Sequence, residues 1–185
     1  LANPVLLGYA RPEAERIYVG KSSGRHSVPQ DEINQLLADK AAAGLNVARL
    51  KGGDPYVFGR GGEEASFLHQ HQIPFEVVPC VTAGSAAAAY AGIPLTPRDI
   101  ATSLALLTGH ERPERKLSSL DWEKLATGLG TLIFYMGMAN LKMISEKLVE
   151  HDRPADTPVA VVQWATLPRQ KTLIGRLDEI AGQVA

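Results

Sequence analysis

The feature that most constrains the fold of this chain is a repeated alternation of short apolar segments with helix-like segments. Such alternation favours an α/β fold with a substantially parallel sheet. Several of the apolar segments end at glycine. The predicted strands are "RIYVG" (16–20), "NVARLKGGD" (46–54), "PFEVVPC" (74–80), "SLALLTGH" (103–110), "TLIFYMG" (131–137), "TPVAVVQWAT" (157–166) and the segment that begins at residue 171.

Helices are predicted between these strands. In the first of them, Asp31 and Glu32 suit the positive end of the helix, and Gly44 marks its end. The segment "TAGSAAAAYAG" is rich in small residues and is predicted to pack closely against a neighbour. The predicted helices cover residues 27–44, 61–72, 82–92, 119–128 and 139–152, and a last one follows the final strand.

Composition narrows the class of protein. The 185 residues suffice for two small α/β lobes, and polar, proline-bearing connections predict lobes at 1–112 and 113–185. The net charge of −1 provides no global field for nucleic acid or an anionic membrane. Because Cys80 is the single cysteine, no intrachain disulfide forms, and a reducing, cytoplasmic compartment is expected. No signal peptide and no apolar stretch long enough for a bilayer is visible.

Five glycine or small-residue loops follow predicted strands: "VGKSSG", "KGGDP", "VTAGS", "LTGH" and "YMGM". Ligands of open α/β sheets bind beyond the carboxyl ends of the strands. Any one such loop is typical of an ordinary turn. Five together favour a ligand site.

Several familiar sites are excluded by spacing. A P-loop ending in "GKS" needs a glycine where Glu15 stands. His69 and His71 are two residues apart on a predicted helix and point to different sides, and Cys80 has no nearby partner, so no metal site is predicted.

Four longer stretches carry a resemblance: "VARLKGGDPYVFGRGGEE", "VPCVTAGSAAAAYAGIPLTPRDIATSLALLTGH", "TLIFYMGM" and "TPVAVVQWATLPRQ". In this order they resemble the uroporphyrinogen-III C-methyltransferase family of tetrapyrrole methylases. The resemblance covers nearly the whole chain. It implies two α/β lobes with the ligand cleft between them, S-adenosylmethionine as methyl donor, and conversion of uroporphyrinogen III to precorrin-2 by methylation at C2 and C7, in sirohaem or cobalamin biosynthesis.

The same resemblance implies a donor site lined mostly by backbone. The "GGDP" loop would lie along the donor, because glycine lets backbone N–H and C=O groups approach a ligand closely. Met136 has a second interpretation as an ordinary core residue. This chain has alanine at position 165, where the family often has glycine. The implied donor-binding residues are Gly52, Gly53, Asp54, Val57, Thr82, Ala83, Met136 and Ala165.

The substrate carries eight carboxylates, so cations are expected around it. The resemblance gives Lys21 a proton-donor role, although a solvated or carboxylate-binding lysine is the alternative. Arg25 and Arg98 are the first candidates for binding substrate, because arginine binds carboxylate bidentately. Further cations in or near the loops are His26, Arg49, Lys51, Arg60 and Arg112.

The resemblance also implies that the chain is truncated at both ends. The family opens with a strand, a "GAGPGD"-type loop and a "YD" pair, and this sequence begins after them. Two other hypotheses stay open: a sister methylase acting on a later corrinoid intermediate, and a non-catalytic fragment that binds ligand or dimerises. Family members are dimers, so a homodimer is expected, with no nucleic-acid or membrane partner.

Overall fold

A computed structural model of the chain describes residues 2–20, 28–109 and 120–184. Its contacts divide into two units, Leu1–Thr82 and Ala83–Ala185. This division lies earlier in the chain than the predicted lobe boundary after residue 112. That boundary falls within 110–119, outside the described residues, and it stays a prediction.

The first unit consists of helices joined by extended segments. A 3-10 helix (Pro4–Tyr9) precedes α1 (Gln30–Ala42) and α2 (Gly61–Gln70), so the two helices predicted here are confirmed. α1 begins directly after a proline and carries two acidic residues in its first turn, which suits the positive end of its dipole. It packs against α2 and buries Ile33 and Ala38.

The three strands predicted in the first unit are wrong. Residues 16–20, 46–50 and 74–80 have no regular secondary structure, and no strand is assigned to them in the described part of this unit. A strand requires a hydrogen-bonded neighbour, and apolar sequence alone does not supply one. Their apolar side chains are largely uncovered, with Tyr18 63% and Val78 70% exposed.

The second unit contains both strands and helices, which confirms the α/β class. α3 (Ala83–Tyr90) opens it, and the unit also contains a short 3-10 helix (Met138–Asn140). The other elements are β1 (Leu104–Thr108), α4 (Trp122–Gly128), β2 (Thr131–Tyr135), α5 (Leu141–Glu150), β3 (Pro158–Gln163), β4 (Lys171–Arg176) and α6 (Ile180–Gln183).

The strands of the second unit form two pairs with different directions. β1 and β2 are parallel, with Leu104 opposite Thr131 and Thr108 opposite Tyr135, as the alternating pattern predicted. β3 and β4 are antiparallel, which corrects the expectation for that pair. The reason is the connection, residues 164–170, which is too short for the crossover that parallel strands require.

The core of the second unit lies where α4 and α5 meet Leu177, which directly follows β4. Trp122, Ile144 and Leu148 are buried there, and the Trp122 ring stacks on Phe134 of β2 with centroids 6.3 Å apart. Arg153 donates hydrogen bonds to three backbone carbonyls in the last turn of α4 and just after it, those of residues 126, 129 and 130. This side chain therefore satisfies carbonyl groups that the end of a helix leaves unpaired. Across the described residues, no helix has both the length and the apolar character needed to cross a membrane.

Candidate functional site

The "GGDP" loop of the first unit is held in shape by Asp54. One carboxylate oxygen accepts from the backbone N–H of Tyr56 at 2.9 Å, and the other accepts from the N–H of Cys80 at 3.1 Å. These two donors, Cys80 first, hold the pKa of the Asp54 carboxyl below its usual range. Asp54 thus closes its own loop and ties it to the extended segment 74–80.

The far end of this loop needs glycine for steric reasons. The N–H of Gly61 donates to the carbonyl oxygen of Pro55 at 2.9 Å, and a Cβ at Gly61 would lie 2.5 Å from that same oxygen. Phe58 and Arg60 have φ values of 50° and 56°, a left-handed conformation that costs a non-glycine residue about 1–2 kcal/mol. The loop is therefore strained as well as tightly closed.

The backbone N–H and C=O groups of Gly52 and Gly53 are available to a ligand. Gly53 has a φ of 153°, a conformation that favours glycine. Within the described part of the chain, the backbone N–H and C=O groups of both residues make no hydrogen bond. Val57 continues the same loop, and its N–H donates to the backbone carbonyl of Asp54 at 3.4 Å.

A buried carboxylate stands behind this loop. Glu64, on the first turn of α2, is 5% exposed and accepts from Arg49 Nε at 3.1 Å and from Lys51 Nζ at 2.9 Å. Gln30 Nε2 on α1 donates to it at 3.2 Å and to Asn34 Oδ1 at 3.0 Å. The cluster joins both helices to the residues that directly precede Gly52. Sequence reasoning missed this role. The available signal was the two-residue spacing of Arg49 and Lys51, which places both on one side of an extended segment.

Glu64 neutralises two of the cations that were predicted to bind substrate. Arg49 and Lys51 are bound by it, and Arg60 forms an ion pair with Glu63. Arg98 is exposed and forms no ion pair with any other described residue. The remaining candidates, Lys21, Arg25, His26 and Arg112, lie outside the described residues.

In the second unit, Tyr135 connects two of the predicted site segments. Its hydroxyl accepts from the N–H of Gly84 at 2.7 Å, next to Ala83 at the start of α3. A Cβ at Gly84 would lie 2.7 Å from the Tyr135 hydroxyl, so this approach requires glycine. Met136 follows Tyr135, has a φ of 56°, and is 58% exposed. The core interpretation of Met136 is therefore wrong.

The β3–β4 connection contains Ala165 between two strained residues. Trp164 has a φ of 51° and Thr166 a φ of 68°, both unusual for bulky or β-branched side chains. Gln170 fixes the loop, because its Oε1 accepts from the Thr166 N–H at 2.8 Å and its own N–H donates to the carbonyl of Leu167 at 2.9 Å.

The predicted site residues thus fall into two groups, one in each unit. Gly52, Gly53, Asp54 and Val57 share one loop of the first unit, which ends at Thr82. Ala83, Met136 and Ala165 belong to the second unit, where a hydrogen bond joins the chain neighbours of the first two, Gly84 and Tyr135. No group of three or more His, Cys, Asp or Glu side chains suited to a metal ion occurs among the residues that the structure describes.

Comparisons with known proteins give a consistent result. A family model described as Tetrapyrrole (Corrin/Porphyrin) Methylases matches residues 1–181. The uroporphyrinogen-III C-methyltransferase of Bacillus subtilis is 50% identical over 184 residues, which is 100% of this chain and 38% of that protein. The chain therefore spans well under half the length of this curated relative.

Solved structures agree. The uroporphyrin-III C-methyltransferase of Thermus thermophilus, complexed with S-adenosyl homocysteine, has 37% identity and a TM-score of 0.77, over 94% of this chain and 72% of that one. A cobalamin biosynthetic enzyme, cobalt precorrin-4 methyltransferase, has 26% identity and a TM-score of 0.81, over 98% of this chain and 73% of that one. These comparisons confirm the resemblance drawn from the sequence motifs.

Replacing Glu64 by Gln tests the buried cluster. Gln keeps the shape but leaves two cations without a counter-charge, one of them almost buried. We expect the free energy of unfolding to fall by about 3 kcal/mol, since breaking a buried ion pair from one side is strongly destabilising. Urea denaturation followed by far-UV circular dichroism measures it.

The neighbouring Glu63→Gln is the matched control, because it removes an exposed pair and should cost less than about 1 kcal/mol. Equal, small losses for the two variants would show that the cluster does not stabilise the first unit.

The lowered pKa of Asp54 predicts how stability depends on pH. The ordinary value is 3.8, and the native carboxyl titrates below it. The ionised carboxylate therefore contributes stability above the ordinary value, and this contribution is lost as the pH falls through the native pKa. Urea denaturation of the wild type and Asp54→Asn should show a difference that shrinks between about pH 5 and about pH 3.

Asp39→Asn, which removes an exposed carboxylate from α1, is the control for the loss of one surface charge. A difference between wild type and Asp54→Asn that stays constant across this pH range would contradict the assignment.

Proposed function

The chain belongs to the tetrapyrrole (corrin/porphyrin) methylase family, and on this premise we propose that it is part of an S-adenosylmethionine-dependent uroporphyrinogen-III C-methyltransferase. The reaction would convert uroporphyrinogen III to precorrin-2 by two methylations, at C2 and C7. The 50% identity to a relative with that name supports the choice of substrate. Because the chain spans 38% of that relative, methyl transfer by this chain is part of the proposal.

The observation that carries the proposal is the "GGDP" loop. Gly52 and Gly53 offer backbone N–H and C=O groups that no other described residue uses, on a loop that Asp54 closes. Such groups suit the polar parts of S-adenosylmethionine, and a related structure holds S-adenosyl homocysteine. When bound, this donor supplies an electrophilic methyl group to a nucleophilic pyrrole carbon. Asp54 would act through the loop that it shapes, and Val57 would pack beside the ligand.

The remaining donor contacts would come from Thr82, Ala83, Met136 and Ala165. Met136 suits an apolar wall because it is exposed and held in a fixed, strained backbone conformation. Ala165 lies in a loop that Gln170 holds rigid, so a backbone contact there would be preorganised. These residues would position the donor and exclude water from it.

The substrate side rests on one described cation that forms no ion pair and on two cations that the resemblance suggests. Arg98 suits a carboxylate of the substrate because no described acidic residue pairs with it. Arg25 would do the same, and Lys21 would exchange a proton with the macrocycle after methyl transfer. The roles of Arg25 and Lys21 stay predictions, as do a homodimer and a cytoplasmic location.

A second candidate is a methyltransferase for a later corrinoid intermediate. The likeness to cobalt precorrin-4 methyltransferase favours it. That structure has a higher TM-score than the uroporphyrin-III C-methyltransferase of Thermus thermophilus, although its sequence identity to this chain is lower, at 26%. Incubation with S-adenosylmethionine and each substrate, followed by mass spectrometry of the tetrapyrrole, separates the two. A product two methyl groups heavier from uroporphyrinogen III supports the first candidate.

Titration calorimetry with S-adenosylhomocysteine tests the donor site. We expect binding by the wild type and at least about tenfold weaker binding by Asp54→Ala, equivalent to about 1.4 kcal/mol, because the loop loses both backbone anchors of the carboxylate.

Asp39→Ala is the matched control and should bind like the wild type. The proposal would be contradicted by a folded wild type that does not bind, or by equal affinities of the wild type and Asp54→Ala.

A further inference from the structure

Two cations share one aromatic ring beside the predicted donor contact Ala165. The guanidinium carbon of Arg169 lies 4.6 Å from the centroid of the Trp164 ring, and Lys171 Nζ lies 6.0 Å from it. Both distances are in the range of cation–π contacts. Trp164 is 42% exposed, so this cluster faces solvent on one side.

Neither cation is neutralised within the described part of the chain. The side chains of Arg169 and Lys171 form no ion pair and no hydrogen bond there, and the sequence has no acidic residue between Thr157 and Leu177. Their positive charges repel each other over the same ring, and a bound anion would relieve that repulsion. Stacking on a ring engages the face of a guanidinium and leaves its N–H edge available for a planar acceptor such as carboxylate.

The backbone under the cluster is strained and is closed by hydrogen bonds. Trp164 and Thr166 both have positive φ values, and Gln170 closes the loop through two hydrogen bonds. Conformations of this kind persist only where the surroundings impose them, and they concentrate at ligand sites. The loop therefore fixes the backbone from which the ring and the two cations project.

A shallow cavity, largely open to solvent, lies against the same loop. It has a volume of about 390 Å³ and is lined by Tyr90, Thr166, Leu167, Pro168 and Gln170. Its wall combines apolar surface with hydroxyl and amide groups, the composition usual for a site that binds part of an organic ligand.

We propose that Trp164, Arg169 and Lys171 form a carboxylate-binding subsite for the polycarboxylate substrate, with the adjoining cavity taking the apolar part of one substituent. The inference rests on the proposed function for the class of substrate. It adds residues to those that the sequence motifs suggested, since neither Arg169 nor Lys171 was among the predicted cations.

The test uses uroporphyrin, the stable oxidised ring that keeps the substrate's carboxylates. Comparing the wild type with Trp164→Phe isolates the emission of Trp164 from that of Trp122, the buried second tryptophan. We expect uroporphyrin to quench the emission that Trp164→Phe removes. We expect Arg169→Gln to weaken uroporphyrin binding at least tenfold, and Arg169→Lys to weaken it less, because lysine keeps the charge but loses the bidentate edge.

Lys142→Gln is the control, since it removes an exposed cation that pairs with Glu146 on α5. Coproporphyrin, with the same ring and half the carboxylates, should bind more weakly to the wild type and respond less to Arg169→Gln. Unchanged uroporphyrin binding in Arg169→Gln, or none by the wild type, would overturn the subsite.

Titration of the same variants with S-adenosylhomocysteine separates this proposal from the proposed function. Donor affinity that is unchanged in Arg169→Gln, with uroporphyrin affinity lost, supports the subsite. Lost donor affinity with unchanged uroporphyrin affinity would assign the cations to the donor's carboxylate and overturn it. A wild type that binds uroporphyrin through Arg169 but does not bind the donor would contradict the proposed function and leave the subsite standing.

Discussion

The buried carboxylate of Glu64 is the interaction on which the first unit depends. It brings a side chain from α1 and two cations from an extended segment onto the first turn of α2. Taking a carboxylate out of water is costly unless its lone pairs find donors, and here three side chains supply them. Because the segment that it holds runs straight into Gly52, the same cluster fixes where the predicted donor loop begins. Asp54 then fixes the loop's course by accepting two backbone N–H groups.

The strain in the molecule is concentrated where ligand contacts are proposed. Of the eight non-glycine residues with positive φ in the described ranges, five lie in the loops that were assigned to a ligand: Phe58, Arg60, Met136, Trp164 and Thr166. Neighbouring contacts hold these loops, through Gly61 in one case and through Gln170 in another. Backbone preorganised in this way can contact a ligand without being ordered again on binding. Each unit, taken by itself, therefore contains a loop with strained backbone among its predicted ligand contacts.

The sequence predicted the second unit better than the first for a physical reason. β1 and β2 are neighbours that pair with each other, so apolar segments there become strands as expected. In the first unit, similar segments have no pairing partner among the described residues, and periodicity cannot reveal whether a partner exists. The antiparallel β3–β4 pair was predictable from its seven-residue connection. Arg49 and Lys51 looked like substrate cations because the carboxylate that neutralises them lies on a different element. The cluster of Trp164, Arg169 and Lys171 was not predicted, because residue spacing in the sequence does not show where the Trp164 ring lies.

Amide hydrogen exchange, read residue by residue with and without S-adenosylhomocysteine, tests the central claim most directly. The claim is that Asp54 shapes the loop in advance and that Gly52 and Gly53 hold the donor. It predicts that the amides of Tyr56 and Cys80 are protected already in the free chain, because Asp54 accepts from them. It also predicts that the amides of Gly52 and Gly53 exchange freely until the donor is added and become protected afterwards. Exchange at Gly52 and Gly53 that saturating donor leaves unchanged would contradict the claim.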